Sequence, residues 1–293
     1  MLSIFSIPKA FKGHTGMIQK NALRSWSMLR PRCQIILFGD DEGAAEAATE
    51  FHAVHIPDIQ KNEFGTPLLN DAFRRSHEYA VHPELCYVNS DIILLSDFTE
   101  AVRKVRTHFS FHNSFLIVGR RWGIDLNMEW NFNETGWEGR LKDFVSKGGT
   151  LAKPHAIDFF VFNRGSYVEI PPFAVGRVGW DNWMIYHALA CRIPVVDVTE
   201  HAQVVHQNHD YSHLQGGDRA FREGPEAALN YKLMNIPKYL FNTLNARWVL
   251  KKNGKLKRVF SREHLRSRRH AFFIFHPHIY SCLKPFRSLR RLL

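Results

Sequence analysis

The stretch Tyr87-Val88-Asn89-Ser90-Asp91-Ile92-Ile93-Leu94 decides the fold of this chain. An apolar run is broken by Asn-Ser-Asp and then resumes. A short β-rich run interrupted in this way reads as a buried strand whose end turns polar. Open α/β sheets bind ligands beyond the carboxyl ends of their strands, so a carboxylate at position 91 stands at the ligand-binding edge. Asn89 and Asp91 offer oxygen-bearing side chains at i and i+2, which suits a hard divalent cation or a ribose hydroxyl. The competing use of Asp91 is to cap the turn after the strand.

Working outward, residues 2–7 form a β-type run. Residues 17–29 read as an amphipathic helix, with Ile18, Ala22 and Trp26 at four-residue steps and Pro31 beyond its end. Residues 34–38 are a second strand closed by Gly39-Asp40-Asp41, 42–51 an Ala- and Glu-rich helix, and 52–56 a short third strand. Thr66 followed by Pro67 has the form of a cap residue with Pro at the first helical position, predicting a helix to about residue 80. A helix is expected over 98–108, and a strand over 115–118 that runs into Gly119-Arg120-Arg121-Trp122. Residues 123–153 are irregular and aromatic, more like an active-site insertion than a core element. Strands follow at 157–162, 194–198 and 203–205, with a helix at 180–191. Alternating β and α segments predict an α/β fold, a mostly parallel sheet covered by helices on both faces.

With 293 residues and 45% hydrophobic composition the chain can bury one large core or two modest ones. Four widely spaced cysteines, Cys33, Cys86, Cys191 and Cys282, contain no CxxC pair; they read as buried free thiols in a reducing compartment. The apolar N-terminus lacks leading positive charges and reads as a core strand rather than a signal peptide. No apolar run is long enough to span a bilayer. Net charge is +11, yet residues 247–293 hold five Lys and nine Arg against one acid, Glu263, so the first 246 residues are slightly acidic. Composition therefore divides the chain into a body, 1–246, and a basic, aromatic C-terminal tail, 247–293.

Several segments, in order, carry a resemblance. They are Gln19-Lys20-Asn21-Ala22-Leu23-Arg24-Ser25-Trp26, Leu37-Phe38-Gly39-Asp40-Asp41-Glu42-Gly43, Gly65-Thr66-Pro67-Leu68-Leu69-Asn70-Asp71, Tyr87-Val88-Asn89-Ser90-Asp91, Pro171-Pro172-Phe173, Gly179-Trp180-Asp181-Asn182-Trp183, His206-Gln207-Asn208-His209-Asp210-Tyr211-Ser212-His213 and Glu223-Gly224-Pro225-Glu226 with Asn230. Together they are similar to bacterial and plant nucleotide-sugar glycosyltransferases of the GT-A fold, a Rossmann-like α/β architecture.

The resemblance implies that Asn-Ser-Asp stands where such enzymes carry Asp-x-Asp, with Asn89 losing one negative charge but keeping an oxygen. It implies that Asp91, with His206 and secondarily His209, holds Mn2+ or Mg2+. Asp210 would orient one of the histidines. Asp40 and Asp41 would meet the nucleoside, although the segment also suits a helix cap. Pro8 and Lys9 would touch the same nucleotide, Lys9 being otherwise a solvated charge. Asp181, held between Trp180 and Trp183, would be the base that deprotonates an acceptor hydroxyl, and the two rings would stack on sugar; the alternative is an N-cap with both Trp in the core. From the residues themselves, Arg120 and Arg121 can grip a diphosphate or form surface ion pairs, and Thr66 and Asn70 can offer donors to phosphate.

The expected activity is transfer of a sugar from a nucleotide-diphosphate donor to a glycan or glycolipid acceptor of a bacterial envelope, metal-assisted and inverting. The tail mixes basic residues with Phe272, Phe273, Phe275, Ile279 and Tyr280 and suits an anionic membrane surface, placing the protein in the cytoplasm and peripherally on the inner face of the membrane. An anionic polymer, nucleic acid or a solvated arm are its other readings, but no nucleic-acid motif accompanies the charge. Two rival activities stay open: a metal-dependent hydrolase centred on His206, His209, Asp210 and His213, and a non-catalytic nucleotide-sugar or glycan binding module.

Overall fold

The computed structural model describes residues 2–111, 114–209, 219 and 222–279. Every residue of β1 (Leu2–Ser6) and β4 (Glu84–Val88) is buried, as in strands covered on both faces. They pair in parallel, and β2 (Gln34–Phe38) and β3 (Val54–Ile56) continue the parallel sheet beyond β1. On the other side, β9 (Phe159–Asn163) runs antiparallel to both β4 and β6 (Leu116–Val118). Then β10 (Val195–Asp197) and β12 (Trp248–Leu250) restore the parallel sense, and β13 (Leu256–Arg258) closes that edge against β12. The result is a mostly parallel nine-stranded sheet with one reversed strand near its centre.

Alternation along the strands sends neighbouring side chains to opposite faces. Ile4, Leu37, Cys86 and Val88 meet α1 (Gly13–Met28), α2 (Ala44–Glu50) and α4 (Ser96–His108) through Trp26, Ala47 and Phe98. Phe5, Phe38, Leu85 and Tyr87 meet α3 (Leu69–Tyr79) and α6 (Trp180–Ala190) through Phe73 and Met184. Within that second layer Phe5 is edge-on to Phe73 at 5.1 Å, and Phe73 stacks on Phe162 at 5.5 Å.

A second, four-stranded sheet stands at the carboxyl edge, in the order β5 (Ile92–Ile93), β11 (Val204–Gln207), β7 (Arg121–Ile124), β8 (Thr150–Leu151). The segment expected to be irregular thus holds two strands and a helix, α5 (Trp137–Gly148). Trp137, Leu141 and Val145 recur at four-residue steps and bury against Ile93, Ile124 and Val205, a periodicity hidden by the aromatic loop before it. A second correction concerns Thr66 and Pro67. They lie in extended chain, Pro67 bridging to Lys61, and α3 starts later, with Leu68 at its N-cap and no capping side chain.

The compositional step at Arg247 does not coincide with a break in the sheet, since β12 and β13 lie beyond it. The basic α8 (Arg262–Phe275) follows; it buries Ala271 and stacks Phe275 on Tyr186 with ring centres 5.5 Å apart. Before these strands, within the body, lies α7 (Pro225–Met234). Cys33 and Cys86 are buried free thiols, whereas the free thiol of Cys191 is exposed; Cys282 and Tyr280 lie outside the described residues. Among the described residues no helix is long and apolar enough to cross a membrane.

Candidate active site

The polar face of α1 assembles the site. Gln19 accepts from the Lys9 N–H at 2.7 Å and from the Ser90 hydroxyl at 2.9 Å, and donates to the Lys9 carbonyl, so one amide joins the end of β1 to the turn after β4. Asn21 donates to Gln207 at 2.9 Å, and Gln207 donates to the carbonyls of Ile18 and Asp91 at 2.7 and 3.0 Å. Trp26 donates to the Ile92 carbonyl at 2.8 Å. The backbone on both sides of Asp91 is thereby fixed to β11, which carries His206.

Around Asp91 the structure gathers the three residues expected to hold a cation. His209 Nε2 lies 3.0 Å and His206 Nε2 3.6 Å from Asp91 Oδ2, and one ligand atom from each residue falls within 4.8 Å of the others. Asp91 Oδ1 is buried with no hydrogen-bond partner among the described residues. Burial by itself would favour a protonated Asp91, but His206, His209 and Arg121 outweigh it and hold the carboxyl ionised far below the usual carboxylate range. His206 is pushed toward its neutral form, by burial foremost and with Arg121 and His209 adding to it against the pull of Asp91. A carboxylate with an orphaned oxygen beside two imidazoles is a donor set that fits a divalent cation. Asp210 and His213 lie outside the described residues.

Asn89 lines the cavity, and its nitrogens are engaged by Asp158. Its amide donates to Asp158 Oδ1 at 2.9 Å and its N–H to the Asp158 carbonyl. Arg121 grips the other oxygen of Asp158 at 2.5 Å. Asp158 therefore belongs to the site, and the sequence reading missed it. It stands at the start of an apolar run as Asp91 stands at the end of one. The signal becomes visible only once β9 is known to run antiparallel, which brings its start to the same sheet edge. Arg120 turns away, its side chain donating to the Ala152 carbonyl at 2.6 Å, because consecutive residues entering β7 point to opposite sides.

Asp181 sits in the first turn of α6. Gly179 precedes it with φ of +104°, and a side chain there would meet the Tyr231 ring and the Met234 sulfur at 3.4 and 3.3 Å, so the turn that aims Asp181 inward needs glycine. Burial raises the Asp181 carboxyl to about 7, with neighbouring Asp158 adding to the rise and backbone N–H groups opposing it. Trp180 lines the cavity, held edge-on to Tyr87 at 5.0 Å. Trp183, expected beside it, packs on Phe173 and stacks on His187 at 4.7 Å, away from the cavity, because three positions on a helix carry it round to the core.

A cavity of about 660 Å³ is lined by Asp91, His206, His209, Asn89, Asp158, Arg121, Trp180 and Asp181 together. Pro8, Lys9, Asp41 and Thr66, each named from the sequence, also line it, together with Lys61 and Arg177, which were not. Lys9 is largely desolvated; burial lowers its proton affinity and nearby Asp91 opposes that. Asp41 is raised by burial above the usual carboxylate range, with Lys61 opposing. Gly39, at φ +107°, turns the chain after β2 so that Asp41 faces in and Asp40 faces out, where it pairs with Lys61 at 2.6 Å. Buried Glu226 gathers Asn62 at 2.7 Å, Thr66 and the guanidinium of Arg177, closing one wall. Asn70, inside α3, does not line the cavity.

No protein-family model matches the chain, and no curated protein matches it. Among solved structures it is similar to glucosyl-3-phosphoglycerate synthase from Mycobacterium tuberculosis in complex with Mg2+ and uridine-diphosphate, at 10% identity over 82% of this chain and 81% of that one, with a TM-score of 0.45. It is similar to a putative nucleotide-diphospho-sugar transferase from Desulfovibrio desulfuricans G20, at 10% identity over 80% and 96%, with a TM-score of 0.41. It is also similar to S. aureus TarS 1-349, at 11% identity and a TM-score of 0.32; that match takes in 43% of this chain and spans only 36% of TarS 1-349. Similarity at this level leaves function to be read from the cavity's own side chains.

The cluster predicts metal binding that depends on its own three residues. Equilibrium dialysis against Mn2+ should show one site, and Asp91→Asn or His206→Ala should each weaken it at least about tenfold, since removing even a supporting partner of a ligand costs that much. Circular dichroism should report an unchanged fold. Unaltered Mn2+ binding in both variants would mean that the cluster is not a metal centre.

Proposed function

We propose that this protein is a metal-assisted, inverting glycosyltransferase that moves a sugar from a nucleoside diphosphate donor to the hydroxyl of a glycan or glycolipid acceptor. One observation carries the reading: a cation-competent Asp91–His206–His209 cluster and a desolvated Asp181 line the same cavity. Asp91, His206 and His209 would hold Mn2+ or Mg2+, which when bound neutralises charge on a departing diphosphate. Lys9 and the Arg121–Asp158 pair stand beside that cluster and orient the diphosphate. Pro8, Asp41 and Thr66 are assigned to the nucleoside end. Trp180 is assigned to the sugar as an apolar wall.

Asp181 accepts the proton of the acceptor hydroxyl as its oxygen attacks the anomeric carbon. The bond from that carbon to the diphosphate oxygen breaks in the same displacement, and the electron pair leaves with the diphosphate. A carboxyl raised to about 7 by burial is matched to this task near neutral pH. The basic α8 exposes Leu265, Phe272 and Ile274 together with Arg262, Arg266 and Arg269, a combination suited to an anionic membrane face.

Thermal-shift measurements across UDP- and GDP-sugars, with and without Mn2+, test the donor. At least one should stabilise the protein only when metal is present, by about 2.7 kcal/mol at a hundredfold excess over Kd. Asp91→Asn should abolish the effect, and silence to every nucleotide would defeat the reading.

The base assignment makes a signed pH prediction. Asp181 must be ionised to act, so kcat/KM should climb as pH rises through about 7 and level off above it. Asp181→Asn should lower kcat by about 10²–10⁴-fold while donor binding persists. A flat profile between pH 5 and 9 would assign the base elsewhere.

Co-sedimentation with vesicles tests the helical tail. Binding to phosphatidylglycerol vesicles but not to phosphatidylcholine is expected, and each of Arg262, Arg266 and Arg269 changed to Ala should cost about 1 kcal/mol. Equal binding to both lipids, or to neither, would remove the membrane role.

A further inference from the structure

We propose that Asn208 is a positioning residue for the metal cluster: held in one orientation by Asp125, it fixes the proton of His206 on Nδ1 and so presents a bare Nε2 to a cation beside Asp91. The proposal rests on the reading of Asp91, His206 and His209 as cation ligands.

The second sheet places these groups. His206 and Asn208 stand two residues apart at the end of β11, so their side chains leave the same face. Gln207, between them, turns the other way, to the carbonyls of Ile18 and Asp91. β11 runs parallel to β7 with His206 opposite Gly123 and Gln207 opposite Ile124, and the Asn208 N–H donates to the Ile124 carbonyl at 2.9 Å. That register sets the Asn208 side chain over Gly123 and beside Asp125. A Cβ at position 123 would stand 2.8 Å from Asn208 Oδ1, closer than such atoms approach, so the glycine keeps room for this amide. Asn208 and Asp125 do not line the cavity; they act on His206 from behind.

The hydrogen bonds have one consistent direction. A carboxylate oxygen accepts, and the Asn208 amide nitrogen donates to Asp125 Oδ1 at 2.8 Å. Turning the amide over would set its oxygen against that carboxylate. The Asn208 oxygen therefore faces His206 Nδ1, at 3.3 Å, and an amide oxygen can only accept. Neutral imidazole carries one proton, so a proton on Nδ1 leaves a lone pair on Nε2. The opposite side of the ring agrees. His206 Nε2 stands 3.6 Å from Asp91 Oδ2, beyond hydrogen-bond distance, whereas His209 Nε2 reaches the same oxygen at 3.0 Å. A lone pair and a carboxylate turned toward one another, with no proton between them, are the two sides of a cation site. Fixing the tautomer of a ligating histidine through its other nitrogen is how an outer partner supports metal binding.

Nitrogen NMR of the metal-free full chain at about pH 8, where an ordinary histidine is neutral, reads the tautomer directly. The His206 signals are those missing from His206→Ala, and they should show the proton on Nδ1. Asn208→Ala should release the ring to a mixture of tautomers and weaken Mn2+ binding in equilibrium dialysis by about 10–100-fold. Asn208→Asp keeps an acceptor toward Nδ1, so it should keep the Nδ1 proton and hold Mn2+ within about threefold of wild type. Asp125→Asn frees the amide to turn over and should fall between the two. Both positions are exposed, so circular dichroism should stay the same throughout. The proposal is overturned if wild-type His206 carries its proton on Nε2, if Asn208→Ala leaves the tautomer or the Mn2+ affinity unchanged, or if Asn208→Asp fails as Asn208→Ala does. A wild-type chain that binds no Mn2+ removes the metal reading and, with it, the role of Asn208; a wrong tautomer with Mn2+ still bound removes only the role of Asn208.

Discussion

A carboxylate buried beside two imidazoles is the constraint around which this molecule is arranged. Removing an ionised group from water is costly unless other groups answer its charge. Here the answering groups come from three separate places: His206 at the end of β11, His209 just beyond it, and Arg121 at the start of β7. None of these is next to Asp91 in sequence. They converge because Gln19, Asn21 and Gln207 tie the first helix, the turn after β4 and the second sheet into one block. These amides are themselves buried, and leaving one of them unpaired would cost about 1–3 kcal/mol. The polar face of α1 is therefore as much a part of the site as the residues that face the cavity.

The reversed strand β9 is the second organising feature. In a wholly parallel sheet only strand ends would contribute carboxylates to this edge. Reversal makes the beginning of β9 contribute as well, and it delivers Asp158 to the cavity. Asp158 meets a cation and an amide, whereas Asp181 meets little but backbone and apolar rings. Of the carboxyl groups in this one cavity, Asp91 is held ionised and Asp181 is raised to about 7 by their surroundings, the arrangement that separates a charge-bearing role from a proton-accepting one.

Much of this was visible in the residues. The strand pattern around Asp91 predicted the ligand edge, and Asp91, His206, His209 and Asp181 do meet at one cavity. What escaped was directional. Side-chain orientation after a turn separated Asp40 from Asp41 and Arg120 from Arg121, and one-dimensional spacing does not carry that information. Trp183 and Asn70 were chosen for their neighbours in sequence, but helical geometry takes both off the cavity wall. Asp158, Lys153, His155 and Arg177 sit in loops or at strand starts and Arg222 in a helical turn, and only tertiary structure brings them together. The helix over 137–148 was obscured by the Trp- and Asn-rich loop preceding it.

The way the basic segment enters the sheet has a practical corollary. Val249 and Leu250 are buried, and β12 supplies the hydrogen-bonding neighbour of β10. Truncating the chain where its composition changes would strip that neighbour away and leave a bare ladder of backbone donors and acceptors along β10, an invitation to intermolecular pairing. The cationic stretch begins as framework and only afterwards becomes surface.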